Sequence, residues 1–140
     1  MKIRIAIIGA TVLTLGLFAQ DMTKSVWDGV YTEAQATRGQ GLYNENCASC
    51  HGSLLTGGET APPLQGGEFM SNWNGLSAGE LFERIRTSMP IDRPGKLSRE
   101  TNTDILAYIF KANEFPTGST ELSTKTEFLK QIKVEPKKNK

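Results

Sequence analysis

Cys47-Ala48-Ser49-Cys50-His51 is the stretch on which the reading of this chain turns. Cys-x-x-Cys-His is the attachment signature for c-type haem, and the chemistry sets the spacing. Two thiols add across the two vinyl groups of one porphyrin, so the chain between them has to be short enough to stay under the ring. The next residue then points an imidazole at the iron. Cys47 and Cys50 are the only cysteines in the 140 residues, and His51 is the only histidine. The count therefore gives one haem. A structural zinc site wants four Cys or His ligands in a closed tetrahedron, and here three donors lie within five residues. A redox dithiol of the thioredoxin kind wants a strand before it and a βαβ pattern around it, and neither is present. A plain disulfide would leave the histidine unexplained.

The start of the chain agrees with export. Met1-Lys2-Ile3-Arg4 is basic, and Ile5 to Phe18 is almost wholly apolar, the form of a signal peptide. The run falls short of the roughly 18 residues a spanning helix needs, so cleavage after Ala19 is favoured over an uncleaved anchor. Membrane contact is expected only if the segment is retained. Residues 1–19 are read as signal peptide, 20–118 as the haem domain and 119–140 as a C-terminal extension, with the end at Lys137-Lys138-Asn139-Lys140 disordered. The expected compartment is the periplasm.

Charge divides along the chain. From Gln20 to Thr124 there are 8 Lys/Arg against 13 Asp/Glu, while Lys125 to Lys140 holds 6 Lys against 2 Glu. A mildly acidic haem domain excludes nucleic acid as a partner. The basic tail is read first as a solvated, partly disordered end, and second as a docking arm for a partner or membrane surface.

After the apolar start no strand pattern with convincing alternation appears, and three helices do. The first opens at Thr32, where Thr32-x-x-Gln35 has capping-box form with Val30 and Tyr31 as a staple. Ala36, Gly39 and Tyr43 share a face, with Cys47 one turn further. The second opens on the Ser77-x-x-Glu80 box, carries Leu81, Phe82, Ile85 and Met89 as its apolar stripe, and ends at Pro90. The third runs from Ser98 to about Ala112 and is stopped by Asn113 and Pro116-Thr117-Gly118. The Gly- and Pro-rich stretch from Gly52 to Gly75 is long for a structureless loop, unless it wraps the edge of a haem. Past Gly118, Ser123 is placed to cap a short amphipathic turn carrying Phe128, Leu129 and Ile132.

With one histidine, the second axial ligand cannot be another. Methionine is the usual alternative and raises the reduction potential. Met89 is preferred, because it stands at a helix end before a loop stiffened by Pro90 and Pro94. Met70, in the central loop, is the rival, and Met22 is too near the start. The outer nitrogen of His51 needs an acceptor, and the carbonyl of Pro62 or Pro63 suits it.

Together, Cys47 to Gly52, Pro62-Pro63-Leu64, Met89-Pro90 and a last helix with Ala107-Tyr108 resemble a class I, monohaem cytochrome c over about Thr32 to Asn113. The resemblance implies an all-α fold of three helices wrapped around one covalent haem c. It implies Pro62 as the acceptor for His51, Gly39 or Gly41 packed against Tyr108, and Trp73 bonded to a haem propionate. Val26 to Thr32, Phe82 to Leu97 and Phe115-Pro116 are also similar to the small cytochromes that accompany bacterial PQQ-dependent alcohol dehydrogenases. That implies such a dehydrogenase as electron donor and a terminal oxidase or another cytochrome as acceptor. The expected haem-binding residues are thus Cys47, Cys50, His51, Pro62, Trp73 and Met89, with His51 and Met89 on the iron.

An iron closed by two protein ligands implies a single-electron carrier rather than an enzyme. The alternative is a gas-binding or sensory haem protein with a displaceable sixth ligand. A peroxidase would want a distal histidine, and none is to spare. Arg84, Arg86 and Arg93 are read as propionate neighbours or solvated charges.

Overall fold

The computed structural model describes residues 22–137. The expected signal peptide, its cleavage after Ala19 and the last three residues of the expected disordered end lie outside them. The three expected helices are α1 (Glu33–Asn46), α4 (Ala78–Ser88) and α5 (Arg99–Ala112). Each begins where a hydroxyl satisfies a free backbone N–H. Thr32, Ser77 and Ser98 accept from the N–H groups of Gln35, Glu80 and Thr101. The Ser77–Glu80 box closes in both directions. At Thr32 only half the expected box forms. Gln35 is 2 % exposed, and its amide reaches across the core to Leu122 instead.

Helices α1 and α5 cross at Gly39. A Cβ there would lie 1.8 Å from the carbonyl oxygen of Asp104, so only glycine lets the two backbones come this close. Gly41 has nothing within 4 Å. The crossing glycine is therefore Gly39, and it meets the backbone of Asp104 rather than the Tyr108 ring. Tyr108 packs on Tyr43, with ring centroids 5.3 Å apart. Ala36, Ile105, Leu106, Ile109 and Phe110 are buried around the crossing, and Arg38 closes it from outside by a forked pair to Asp104 with a further bond to Glu121.

The Gly52–Gly75 stretch is not structureless. It contains α3 (Gly66–Trp73), whose Phe69 is fully buried. Asn113, at the end of α5, holds its start: Nδ2 donates to the Leu64 carbonyl at 2.9 Å, and Oδ1 accepts from the Gly66 N–H at 3.1 Å. A single turn, α2 (Ala48–His51), follows α1 directly.

The extension also departs from the expected solvated end. Gln35 clamps it with two hydrogen bonds to the backbone of Leu122, at 2.8 and 3.3 Å. A turn of helix follows, α6 (Thr126–Leu129), begun at Lys125 rather than at Ser123. Two parallel two-residue strands then pair, β1 (Lys24–Ser25) with β2 (Ile132–Lys133), where no strand was expected. Leu122, Leu129, Ile132 and Val134 are buried, and the Trp27 indole donates to the Glu135 carbonyl at 2.8 Å. The physical reason is that these apolar side chains find cover on the N-terminal segment and on α4. Gly79 lets the Lys130 backbone lie against α4, since a Cβ there would come within 2.7 Å of the Lys130 nitrogen. Lys125, Lys130 and Lys137 stay exposed, as does half of Phe128.

Candidate functional site

The Cys47–His51 segment is a helical turn. The Cys47 carbonyl accepts from the N–H groups of Cys50, at 3.2 Å, and His51, at 3.0 Å. Residues three apart on a helix share a face, so the two sulfurs are placed to reach one ring. Both cysteines are free of disulfide, Cys47 half-buried and Cys50 exposed. Gly52 ends the turn at a φ of +77°, and its carbonyl accepts from the Tyr43 hydroxyl at 2.7 Å.

The chain then doubles back. The Gly57 N–H donates to the His51 carbonyl at 2.9 Å, and the Gly58 N–H to the Ala61 carbonyl at 2.9 Å. Gly57 has a φ of +80°, and a Cβ on it would stand 2.7 Å from the Pro63 nitrogen and 2.8 Å from the Ala61 oxygen. Glycine here lets the 61–63 segment cross close to the turn. The crossing sets the Pro62 carbonyl 2.8 Å from His51 Nδ1. A carbonyl only accepts, so Nδ1 carries the proton and the lone pair is left on Nε2. That is the tautomer a metal-bound histidine adopts. Of the two prolines that suited the role, Pro62 holds it.

These residues fit a covalent haem. Burial pushes the Cys47 thiol up to about 11, against the opposing pull of Arg93. A thioether carries no charge and is at home in such apolar surroundings. Leu64, Met70, Trp73, Ile85 and Leu97 pack on the core while remaining partly uncovered, which supplies apolar surface for a macrocycle. Among the described residues there is no group of three or more His, Cys, Asp or Glu side chains that could hold a metal ion. The clefts beside the N-terminal segment, about 450 and 580 Å³, contain none of the expected haem-binding residues.

The expected ligands stand as follows. Met89 is the residue at which α4 ends, with its backbone extended and its N–H on the Ile85 carbonyl. Met70 lies in the second half of α3, and Met22 is exposed. Trp73 is the last residue of α3 and half-buried. Arg93, read from the sequence as a propionate neighbour or a solvated charge, has its guanidinium donating to Asn46, the residue before Cys47, at 2.7 Å, a contact the sequence reading did not foresee. No local signal marks a contact between residues 47 apart.

The family model described as cytochrome c oxidase, cbb3-type, subunit III, matches residues 34–109, more than half of the chain. The chain belongs to this cytochrome c family. Its cofactor is accordingly covalently bound haem c with iron, and Cys47 and Cys50 fit the attachment site. The cytochrome is similar to the cytochrome bc1 complex cytochrome c subunit of Corynebacterium diphtheriae, at 33 % identity over 93 residues, covering 64 % of this chain and 31 % of that protein. It is similar also to the corresponding subunit of Corynebacterium efficiens, at 28 % identity over 104 residues, covering 72 % of this chain and 34 % of that protein. The chain thus spans about a third of the length of these relatives. The fold resembles that in the crystal structure of the sulfane dehydrogenase SoxCD from Paracoccus pantotrophus. That match has a TM-score of 0.53 and 20 % identity, covering 89 % of this chain and 68 % of that one.

Proposed function

We propose that this cytochrome is an exported, monohaem electron carrier of class I type, with Cys47 and Cys50 bonded to the haem and with His51 Nε2 and the Met89 sulfur on its iron. The observation that carries the reading is the 2.8 Å hydrogen bond from His51 Nδ1 to the Pro62 carbonyl, beside two cysteines that are not paired with each other. The bound haem supplies one-electron cycling between ferrous and ferric iron.

The protein's own residues do the rest. Pro62 orients the imidazole and strengthens its donation to the iron, which favours the ferric state, and the Met89 thioether favours the ferrous state. Met89 is preferred over Met70 because the loop after it is hydrogen-bonded to the residue preceding Cys47. Trp73 is assigned to a haem propionate, since its half-buried indole N–H donates to no protein acceptor among the described residues. With two protein ligands, the iron has no position left for a substrate, so the role is carriage rather than catalysis.

A respiratory complex or oxidase is proposed as acceptor, on the names of the matching family and relatives. A PQQ-dependent dehydrogenase is proposed as donor, on the likeness of residues 26–32, 82–97 and Phe115-Pro116 alone. The periplasm is the proposed compartment, on the basic and apolar form of residues 1–18.

A potentiometric titration of the holoprotein, with carbon monoxide added to the reduced form, tests the reading. A single one-electron wave and slow, weak carbon monoxide binding are expected. Tight and rapid binding would favour a gas-binding role and overturn the carrier.

A further inference from the structure

The loop after Met89 is open to solvent: Ile91 to Lys96 are all exposed. Its internal shape rests on two turns, Arg93 N–H to the Pro90 carbonyl at 3.0 Å and Lys96 N–H to the Arg93 carbonyl at 3.3 Å. At its far end the buried Asn102 holds it, with Nδ2 donating to the carbonyls of Leu97 at 3.1 Å and Ser98 at 2.8 Å. Between those ends, among the described residues, one hydrogen bond ties residues 90–96 to another element. Arg93 Nη2 donates to Asn46 Oδ1 at 2.7 Å.

The acceptor is well placed to hold. Asn46 is the last residue of α1, and its Nδ2 donates to the Leu42 carbonyl at 2.8 Å, which fixes the amide plane. The next residue in the chain is Cys47. The bond therefore joins the segment carrying one axial ligand to the segment carrying the haem attachment.

We propose that the Arg93–Asn46 hydrogen bond is a latch that holds the methionine loop against the haem-attachment segment, and so keeps the Met89 thioether on the iron in both redox states. Arg93 is then a positioning residue, not a propionate neighbour. The inference rests on Met89 as the sixth ligand. Its logic is mechanical. A thioether is a soft ligand and holds ferric iron less firmly than ferrous, so the oxidised protein relies most on the loop staying closed. Exposed loops with few buried contacts open at low cost. One charge-assisted tether at a half-exposed site then governs the open population, by about three- to tenfold.

The test uses the holoprotein with Arg93→Met, Arg93→Lys, Asn46→Ala and the Arg93→Met/Asn46→Ala pair. Three quantities are read: the rate at which imidazole displaces the sixth ligand of the ferric form, the far-red methionine-to-iron charge-transfer band, and the denaturant midpoint. Arg93→Met is expected to keep the band and a near-native midpoint while displacement speeds up about three- to tenfold. Arg93→Lys should restore most of the native rate, and the double variant should be little faster than Arg93→Met. A native displacement rate in Arg93→Met, or independent multiplicative effects in the double variant, would overturn the latch while leaving Met89 in place. Absence of the far-red band from the wild-type ferric protein would instead remove Met89 as ligand, and the latch with it.

Discussion

Two glycines in α1, two residues apart, should respond to the same substitution with opposite signs. In Gly39→Ala the added Cβ meets the Asp104 carbonyl oxygen at 1.8 Å and its carbon at 2.5 Å. Those are backbone atoms of the facing helix, so relief requires α1 and α5 to separate. Overpacking in a core costs about 1–3 kcal/mol, and an immovable backbone obstacle puts this site at or beyond the upper end. Alanine returns about 1 kcal/mol of helix propensity, leaving a net loss of about 2 kcal/mol or more. Gly41→Ala meets nothing within 4 Å and keeps the propensity gain, so it should stabilise by about 0.5–1 kcal/mol. Guanidinium unfolding of the ferric holoproteins, followed by far-ultraviolet circular dichroism, measures both. A neutral Gly39→Ala, or midpoints that move in the same direction, would refute the assignment of Gly39 as the crossing point.

Met89→Ala should lower the reduction potential by on the order of 0.1–0.3 V, within the roughly 0.8 V that axial ligation spans, and open the reduced iron to carbon monoxide; an unchanged potential would return the ligand to Met70. Gln35→Ala should destabilise by about 1–3 kcal/mol, because it strands the Leu122 N–H and carbonyl, and amide exchange at Leu122 should speed up far more than exchange in α5. Glu83 is held below the usual carboxylate range, chiefly by the Arg86 hydrogen bond, with Thr126 and Arg99 adding to it. Its contribution is therefore complete above the ordinary carboxylate range and is lost as the pH falls through the lowered value. Glu83→Gln should lose less stability than the wild type on acidification, and equal slopes of midpoint against pH would contradict this.

The features legible in the sequence are those whose causes are local. Thr32, Ser77 and Ser98 announce three helices because each cap needs only neighbours three residues away. The haem motif reads clearly for the same reason: one turn holds both thiols and the imidazole. What escaped depends on distant partners. Helix α3 begins at Gln65-Gly66-Gly67 with no side-chain cap, and its stability comes from the buried Phe69 and from Asn113 at the end of another helix. The extension packs through isolated apolar residues and a two-residue strand pair, neither of which leaves a periodic pattern. Gln35 misled because a cap and a long-range clamp use the same amide. The Arg93–Asn46 contact could have been found only by knowing that the loop after Met89 folds back over the end of α1.

The central claim is a porphyrin joined by thioether bonds to Cys47 and Cys50. The protein, produced in a host that matures c-type cytochromes, is extracted with acidified acetone, and the residual polypeptide is weighed by mass spectrometry. The expected result is pigment that stays with the protein and a mass greater than the polypeptide by one haem. Colourless polypeptide of unmodified mass, with the pigment in the solvent, would contradict it.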